Sequence, residues 1–179
     1  MAPGDSVVVL GLGPVGLCAA LAARAVGAGP IFAIDTVPDR LAMAERLGAR
    51  AIHLRDDDPR VAVRAATAKR GADVCIDAVG HPEALDLACR LARNAGTVSV
   101  IGVYAERCEV HMGVVWIKGL TLHAGQANVI GHVDAVLTMM TAGVLDPTPL
   151  VSHHMKLADA PAAYAAYARR EALKIVLEP

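Results

Sequence analysis

The sequence predicts an α/β fold: a doubly wound parallel sheet of six strands in the order 3-2-1-4-5-6, followed by a short C-terminal strand-helix-strand appendage. Three observations carry this reading. The apolar run Val7-Val8-Val9-Leu10 enters a glycine turn, Gly11-Leu12-Gly13-Pro14-Val15-Gly16, and leaves it as an Ala- and Leu-rich segment with helical spacing. A second apolar run, Ile31-Phe32-Ala33-Ile34, ends on Asp35, which lies 19 positions beyond Gly16. The same alternation of short β-branched run and amphipathic segment then recurs along the chain. Continuous apolar runs are the mark of strands buried on both faces, and strands separated by helices form parallel sheets with right-handed crossovers.

Taken in order, the first strand is Val7 to Leu10. Pro14 suits the first position of a helix, Leu17, Ala20, Leu21 and Ala25 form its buried stripe, and Gly27 or Gly29 ends it. Strand two is Ile31 to Asp35, and a helix from about Pro38 carries Leu41, Ala44 and Leu47 up to Gly48. Ala51 to His53 is a short third strand. In Asp56-Asp57-Asp58-Pro59 the last acid is the expected N-cap, and the helix from Arg60 to Arg70 stops at Gly71. Val74 to Asp77 is strand four, and Pro82 opens a helix that turns Leu85, Ala88 and Leu91 inward. Thr97 to Ile101 is strand five and Leu120 to Ala124 strand six, with a helix from about His132 to Ala142 beyond. Residues 1–145 are thus expected to form one nucleotide-binding domain and 146–179 a tail. In that tail Asp146-Pro147-Thr148-Pro149 is a rigid link to a strand from Leu150 to Leu157, a helix from Asp159 to Arg169 and a strand from Leu173 to Leu177. A six-stranded sheet has no need of these two strands, so they read as edge pieces of another sheet, with no obvious partner in the chain.

The glycine turn carries the chemistry. Gly11 permits the bend out of the strand, Gly13 lets the backbone approach a pyrophosphate, and Gly16 lets the helix pack close to the strand. The helix N-terminus offers unpaired N–H groups and the positive end of its dipole to phosphate. A G-x-G-x-x-G on its own is weak; here a strand precedes it, a helix follows, and an acid stands at the end of strand two. That acid, Asp35, can accept both ribose hydroxyls of an adenosine and would repel a 2′-phosphate, and Thr36 beside it adds no positive charge. The expected cofactor is therefore NAD rather than NADP. The crevice should lie at the carboxyl edge of the sheet, where Gly11, Asp35, Asp77 to Gly80 and Ile101 to Val103 converge.

The net charge of −1, with 17 Lys and Arg scattered along the sequence, gives no electrostatic case for nucleic acid or an anionic membrane. Apolar residues make up 55% of the chain, yet no run approaches the roughly 20 residues of a membrane span, so the excess hints at surface meant for another domain or subunit. Met1-Ala2-Pro3-Gly4-Asp5 has neither the basic start nor the apolar centre of a signal peptide, and a cytoplasmic location is expected. Cys18, Cys75, Cys89 and Cys108 have no C-x-x-C spacing. The first three fall in predicted helices or a strand, where a free thiol packs as a small hydrophobe. The seven histidines include the adjacent pair His153-His154, which a strand would point to opposite faces, and none stands in H-x-x-x-H spacing with a carboxylate. No metal site is expected from these residues.

Together these segments resemble the cofactor-binding half of the zinc-dependent medium-chain alcohol dehydrogenases. The resemblance covers nearly the whole chain. It runs through Pro3-Gly4-Asp5 and the glycine turn, Asp35-Thr36-Val37-Pro38-Asp39-Arg40-Leu41, Leu47-Gly48-Ala49, Gly71-Ala72-Asp73-Val74, Asp77-Ala78-Val79-Gly80, Gly96 to Val103 and Lys174-Ile175-Val176-Leu177. Gly119 to Asn128 looks most like the formaldehyde- and threonine-dehydrogenase-like branch. The resemblance implies that Gly11, Leu12, Gly13, Pro14, Val15 and Gly16 hold the pyrophosphate, and Asp35 and Thr36 the adenosine ribose, with Arg40 nearby. Val79 and Gly80 would flank the adenine side, Ile101, Gly102 and Val103 with Ala124, Gly125 and Gln126 would position the nicotinamide, and Lys174 would reach the pyrophosphate from the tail. It also implies a homodimer, in which a segment at about Cys108 to Met112, with Val114, Val115 and Trp116 nearby, pairs antiparallel with its copy. Members of that family carry a barrel-like domain ahead of the Pro-Gly-Asp stretch, which supplies the ligands of a catalytic zinc and the proton relay. No counterpart of it is in this sequence.

The expectation is an NAD(H)-binding domain of an alcohol dehydrogenase-like oxidoreductase, without catalysis of its own. A stand-alone NAD-binding or redox-sensing module is the alternative. A short-chain dehydrogenase is disfavoured because Tyr104, Tyr164 and Tyr167 are followed four positions on by Cys108, Ala168 and Glu171 rather than lysine. A methyltransferase would share the acid after strand two but not the full glycine turn.

Overall fold

The computed structural model describes residues 1–179. Six strands, β1 (Val7–Leu10), β2 (Ile31–Asp35), β3 (Arg50–His53), β4 (Ala72–Asp77), β5 (Ala92–Val100) and β6 (Thr121–Ala124), form one sheet in the order β3-β2-β1-β4-β5-β6. Every pairing is parallel. Leu10 lies level with Ile34 on one side and Asp77 on the other, so the central strands end together at one edge.

Strand alternation splits the core into two layers. Val7 and Val9 join Ile31 and Ala33 on one face, where Leu17 and Ala20 of α1 (Pro14–Ala25) and Leu41 and Ala44 of α2 (Pro38–Arg46) cover them. Val8 and Leu10 join Phe32 and Ile34 on the other face. There Val63 of α3 (Pro59–Ala66), Leu85 and Ala88 of α4 (Pro82–Leu91) and Val115 of α5 (Met112–Lys118) close the layer. Helices on both faces of a parallel sheet are what bury strands with no polar side. A sixth helix, α6 (Val129–Thr141), follows β6, and no helix is long and apolar enough to cross a membrane.

Several local expectations needed correction. Helix α3 stops at Ala66 rather than Arg70, because the Thr67 hydroxyl donates back to the Val63 carbonyl and accepts the Gly71 N–H. Ala68 and Lys69 then take left-handed φ angles of 49° and 63°. Strand β5 begins at Ala92 instead of Thr97. Its register against β4 shifts between Ala72 and Val74, which absorbs the irregular stretch before Thr97. In α1 it is Ala23 rather than Leu21 or Ala25 that joins Leu17 and Ala20 in full burial, and Cys18 is exposed while Cys75 and Cys89 are buried. The segment expected to pair antiparallel with a second copy has no strand partner within the chain. Residues 108–111 carry no strand, and Met112–Lys118 is helix α5, whose first turn is capped by His111 Nδ1 accepting the Val114 N–H and whose end is set by left-handed Gly119.

The tail strands do find a partner, each in the other. β7 (His153–Lys156) and β8 (Ile175–Glu178) form a two-stranded parallel sheet bridged by α7 (Ala160–Ala168). Leu150, expected to open the strand, instead sits in a single helical turn at Thr148–Leu150 and is buried in the α1–α2 layer, with Leu173 packed nearby. Those two leucines dock the tail.

Candidate functional site

The turn after β1 is shaped by two close approaches. Gly11 adopts φ 83°, a conformation that side chains disfavour, and a Cβ there would press on Val79 Cγ2 at 2.7 Å. A Cβ on Gly16 would collide with the Gly11 carbonyl oxygen. A Cβ on Gly13, by contrast, would meet nothing within 4 Å. The turn is thus tight where it must close on itself and open where a ligand would enter. Pro14 has no N–H, and no carbonyl accepts from Gly13, Val15 or Gly16, so these three N–H groups at the start of α1 have no protein partner. With the helix dipole behind them they form a cradle suited to phosphate.

Asp35 terminates β2 beside this cradle. Its Oδ1 accepts the N–H groups of Thr36 (2.6 Å) and Val37 (2.9 Å), and its Oδ2 accepts that of Leu12 (2.6 Å). Arg40 Nη1 lies 3.8 Å from Oδ2. The carboxylate therefore ties the glycine turn to the β2–α2 turn, and its acceptor capacity is largely spent at Oδ1. Oδ2 is left as the oxygen open to a hydroxyl. His53, at the end of β3, braces the same turn by donating from Nε2 to the Thr36 carbonyl at 3.2 Å.

On the other side of the crevice Asp77 ends β4, fully buried. Its Oδ1 accepts the N–H groups of Val79 and Gly80, its carbonyl accepts those of Ile101 and Gly102, and its Oδ2 accepts the Tyr104 hydroxyl at 2.6 Å. One carboxylate thus holds the loops after β4 and β5. Burial, and then the neighbouring Asp77 carboxylate that accepts the hydroxyl's hydrogen bond, hold the Tyr104 phenol well above the usual tyrosine range.

Between these walls runs a cleft of about 610 Å³, within the size range of small-molecule sites. Gly11, Gly13, Asp35, Thr36, Arg40 and Val79 line it, with Leu54, His81 and Arg170. Pro14, Val15 and Lys174 meet in adjoining apolar hollows, so the tail does bring Lys174 to the start of α1. Leu12 and Gly16 are buried inside the turn. Gly80, Ile101, Gly102 and Val103 sit in the loops that Asp77 fixes, outside the cleft lining, and Ala124, the last residue of β6, lies exposed with Gly125 and Gln126 beyond it. Sequence reasoning missed Tyr104, His53 and Arg170. Arg170 was beyond reach, since only the fold of the tail carries it to the cleft. No group of three or more His, Cys, Asp or Glu side chains is placed to hold a metal ion: His153 Nδ1 lies against Ser152 Oγ and His154 Nδ1 against Glu178.

The family model described as zinc-binding dehydrogenase matches residues 14–141. The solved alcohol dehydrogenase TADH from Thermus sp. ATN1 superposes with a TM-score of 0.95 at 41% identity, over 99% of this chain and 52% of that one. A sorbitol dehydrogenase of Bacillus subtilis (strain 168) is 30% identical across 99% of this chain and 51% of its own length. An L-threonine 3-dehydrogenase of Bacillus velezensis is 30% identical across 98% of this chain and 52% of its own length. The chain spans about half the length of the curated relatives it matches.

Proposed function

Since the chain belongs to the zinc-binding dehydrogenase family, we propose that residues 1–179 supply the NAD(H)-binding half of an alcohol dehydrogenase-type oxidoreductase. The observation that carries the reading is the pairing of three unpartnered N–H groups at the start of α1 with Asp35 Oδ2 across an open Gly13. Phosphate would rest on the N–H groups, with the Lys174 ammonium adding charge from the tail, and the adenosine ribose would meet Oδ2. Arg40, held by Asp35, would lie alongside. When bound, NAD supplies the hydride-accepting ring. The chain's own part is to position the cofactor: the Asp77–Tyr104 pair keeps the 78–80 and 101–104 loops fixed at the end of the crevice where the ring would lie. In this reading the zinc chemistry of the family belongs to residues other than these, and 1–179 alone bind the cofactor without oxidising alcohols.

The reading extends to a homodimer. Edge strand β6 is exposed throughout, and Trp116, Ile117, Ile130 and Leu137 are exposed apolar side chains on the flanking helices α5 and α6. The chain is expected to be soluble in the cytoplasm.

Calorimetric titration of NAD into the chain tests the main proposal. Saturable 1:1 binding is expected, weakened about tenfold or more by Asp35→Ala, with no alcohol-dependent NADH absorbance when zinc is added. Absence of NAD binding would overturn the reading, and turnover of an alcohol would overturn its claim of inactivity. Light scattering at micromolar concentration should give twice the chain mass; a monomer would remove the dimer.

A further inference from the structure

We propose that the chain carries a second anion site, remote from the cofactor crevice, that binds a compact oligophosphate. The sheet is parallel, so its two edges are chemically distinct. The crevice lies at the carboxyl ends of the strands, whereas a separate cleft of about 610 Å³ opens at their amino ends, where Gly71 leads into β4 and Ala92 begins β5. Seven of its twelve lining residues are cationic and none is acidic; Arg60, Arg64, Lys69 and Lys118 are the ones without a carboxylate within 4.0 Å.

Cations at helix C-termini ordinarily serve the last carbonyls, and part of this group does that. Lys118 donates to the carbonyls of Cys89, Arg90 and Ala92 at the end of α4, and Arg93 donates to those of Asn94 and Ala95. Arg70 and Arg93 share Asp73, and Arg90 pairs with Asp86. Arg60, Arg64 and Lys69 remain. Their side chains make no hydrogen bond and no ion pair, though all three border the same cleft and all are exposed. The left-handed turn at Ala68–Lys69, locked by Thr67 against Val63 and Gly71, fixes where Lys69 leaves the backbone. Seven cations beside only two carboxylates, Asp73 and Asp86, leave an excess of like charge that raises the free energy of the folded chain, and a bound polyanion relieves that repulsion.

The surroundings choose the ligand. Outside this cleft ten Lys and Arg face 18 Asp and Glu, so an extended nucleic acid would be repelled beyond the cleft. No aromatic side chain lines the cleft, so nothing there would stack on a base. A short chain of phosphates matches the concave shape and the charge.

The test is calorimetric titration of sodium tripolyphosphate into the 179-residue chain at low salt, repeated with NAD present and with a single-stranded oligonucleotide in place of tripolyphosphate. Saturable binding that weakens with salt, persists in the presence of NAD and falls about tenfold or more in Arg64→Ala/Lys69→Ala is expected, and Arg60→Gln alone should give a smaller loss. All three altered sites are exposed, and circular dichroism should show an unchanged fold. No saturation, displacement by NAD, equal affinity in the double variant, or tighter binding of the oligonucleotide would each overturn the proposal.

Discussion

Strands β1 and β6 share a design, four residues feeding into a helix, yet every residue of β1 is buried and every residue of β6 is exposed. The helices repeat the contrast. Helix α1 buries Gly16, Leu17, Ala20 and Ala23, while α6 buries none of its residues although Val129, Ile130, Val133, Val136, Leu137 and Met140 are all apolar. Position in the sheet makes the difference: β1 has neighbours on both sides and helices over both faces, and β6 is an edge. Apolar character states that a side chain gains from cover; topology decides whether this chain provides it.

The largest effect should come from the buried side of that contrast. Phe32 on β2 is among the largest fully buried side chains, packed with Val8, Leu10 and Ile34. Phe32→Ala should lower unfolding stability by about 3–5 kcal/mol, read from the urea midpoint. Leu137→Ala on α6, where the side chain is half exposed, should cost no more than about 0.5 kcal/mol at concentrations that keep the chain monomeric. A loss at Leu137 as large as that at Phe32 would break the contrast, because it would mean that α6 is covered in solution.

The same contrast separates what could be read in the sequence from what could not. The central strands were legible because a strand buried on both faces writes itself as an unbroken apolar run, as Val7 to Leu10 does. The glycine turn was legible because Gly11 and Gly16 answer steric demands, which the close contacts at both positions bear out. Elements set by cross-chain contacts were not. Helix α5 depends on Val115 reaching the core and on His111 serving as its cap, and neither Met112 nor Gly113 announces a helix. The end of α3 turns on one hydroxyl, that of Thr67. Within the site, Asp35 was found by its distance from the glycines, whereas Tyr104 meets Asp77 across 27 residues with no local pattern to mark it. The cations of the second cleft are scattered along the chain, and only the meeting of α3, α4 and α5 gathers them.

A smaller effect is expected where a polar group replaces an apolar one in the comparison. Tyr104→Phe keeps the ring but removes the donor to Asp77 Oδ2, leaving a fully buried carboxylate oxygen without that partner. The expected loss is about 1–3 kcal/mol by chemical denaturation. Thr138 on α6 makes an equally good hydrogen bond, its hydroxyl donating to the Asp134 carbonyl at 2.8 Å, but on an exposed surface. Thr138→Ala should therefore change stability by about 0.5 kcal/mol at most. If Tyr104→Phe is equally silent, water reaches Asp77 and the crevice end is wetter than its packing implies.

The smallest effect is visible only against pH, at Asp73 on the amino-terminal side of β4. Burial raises its carboxyl pKa, but the Ser6 hydroxyl, Arg93 and the Ser6 N–H together outweigh burial and hold it well below the usual carboxylate range. A depressed folded pKa means that the ionised form is favoured on folding. The stabilisation is complete above the unfolded value of about 3.9, and is lost as pH falls from there toward the folded value. The partners temper the size, since Arg93 and Arg70 are 31% and 56% exposed and solvent screens them. Asp73→Asn should therefore be less stable than the parent at pH 7 by about 1 kcal/mol, with the gap closing between about pH 4 and pH 2. Thermal midpoints across that range check it. A gap that stays constant with pH would mean that the Ser6 hydrogen bonds, which Asn can partly replace, matter more at this edge than the charge does.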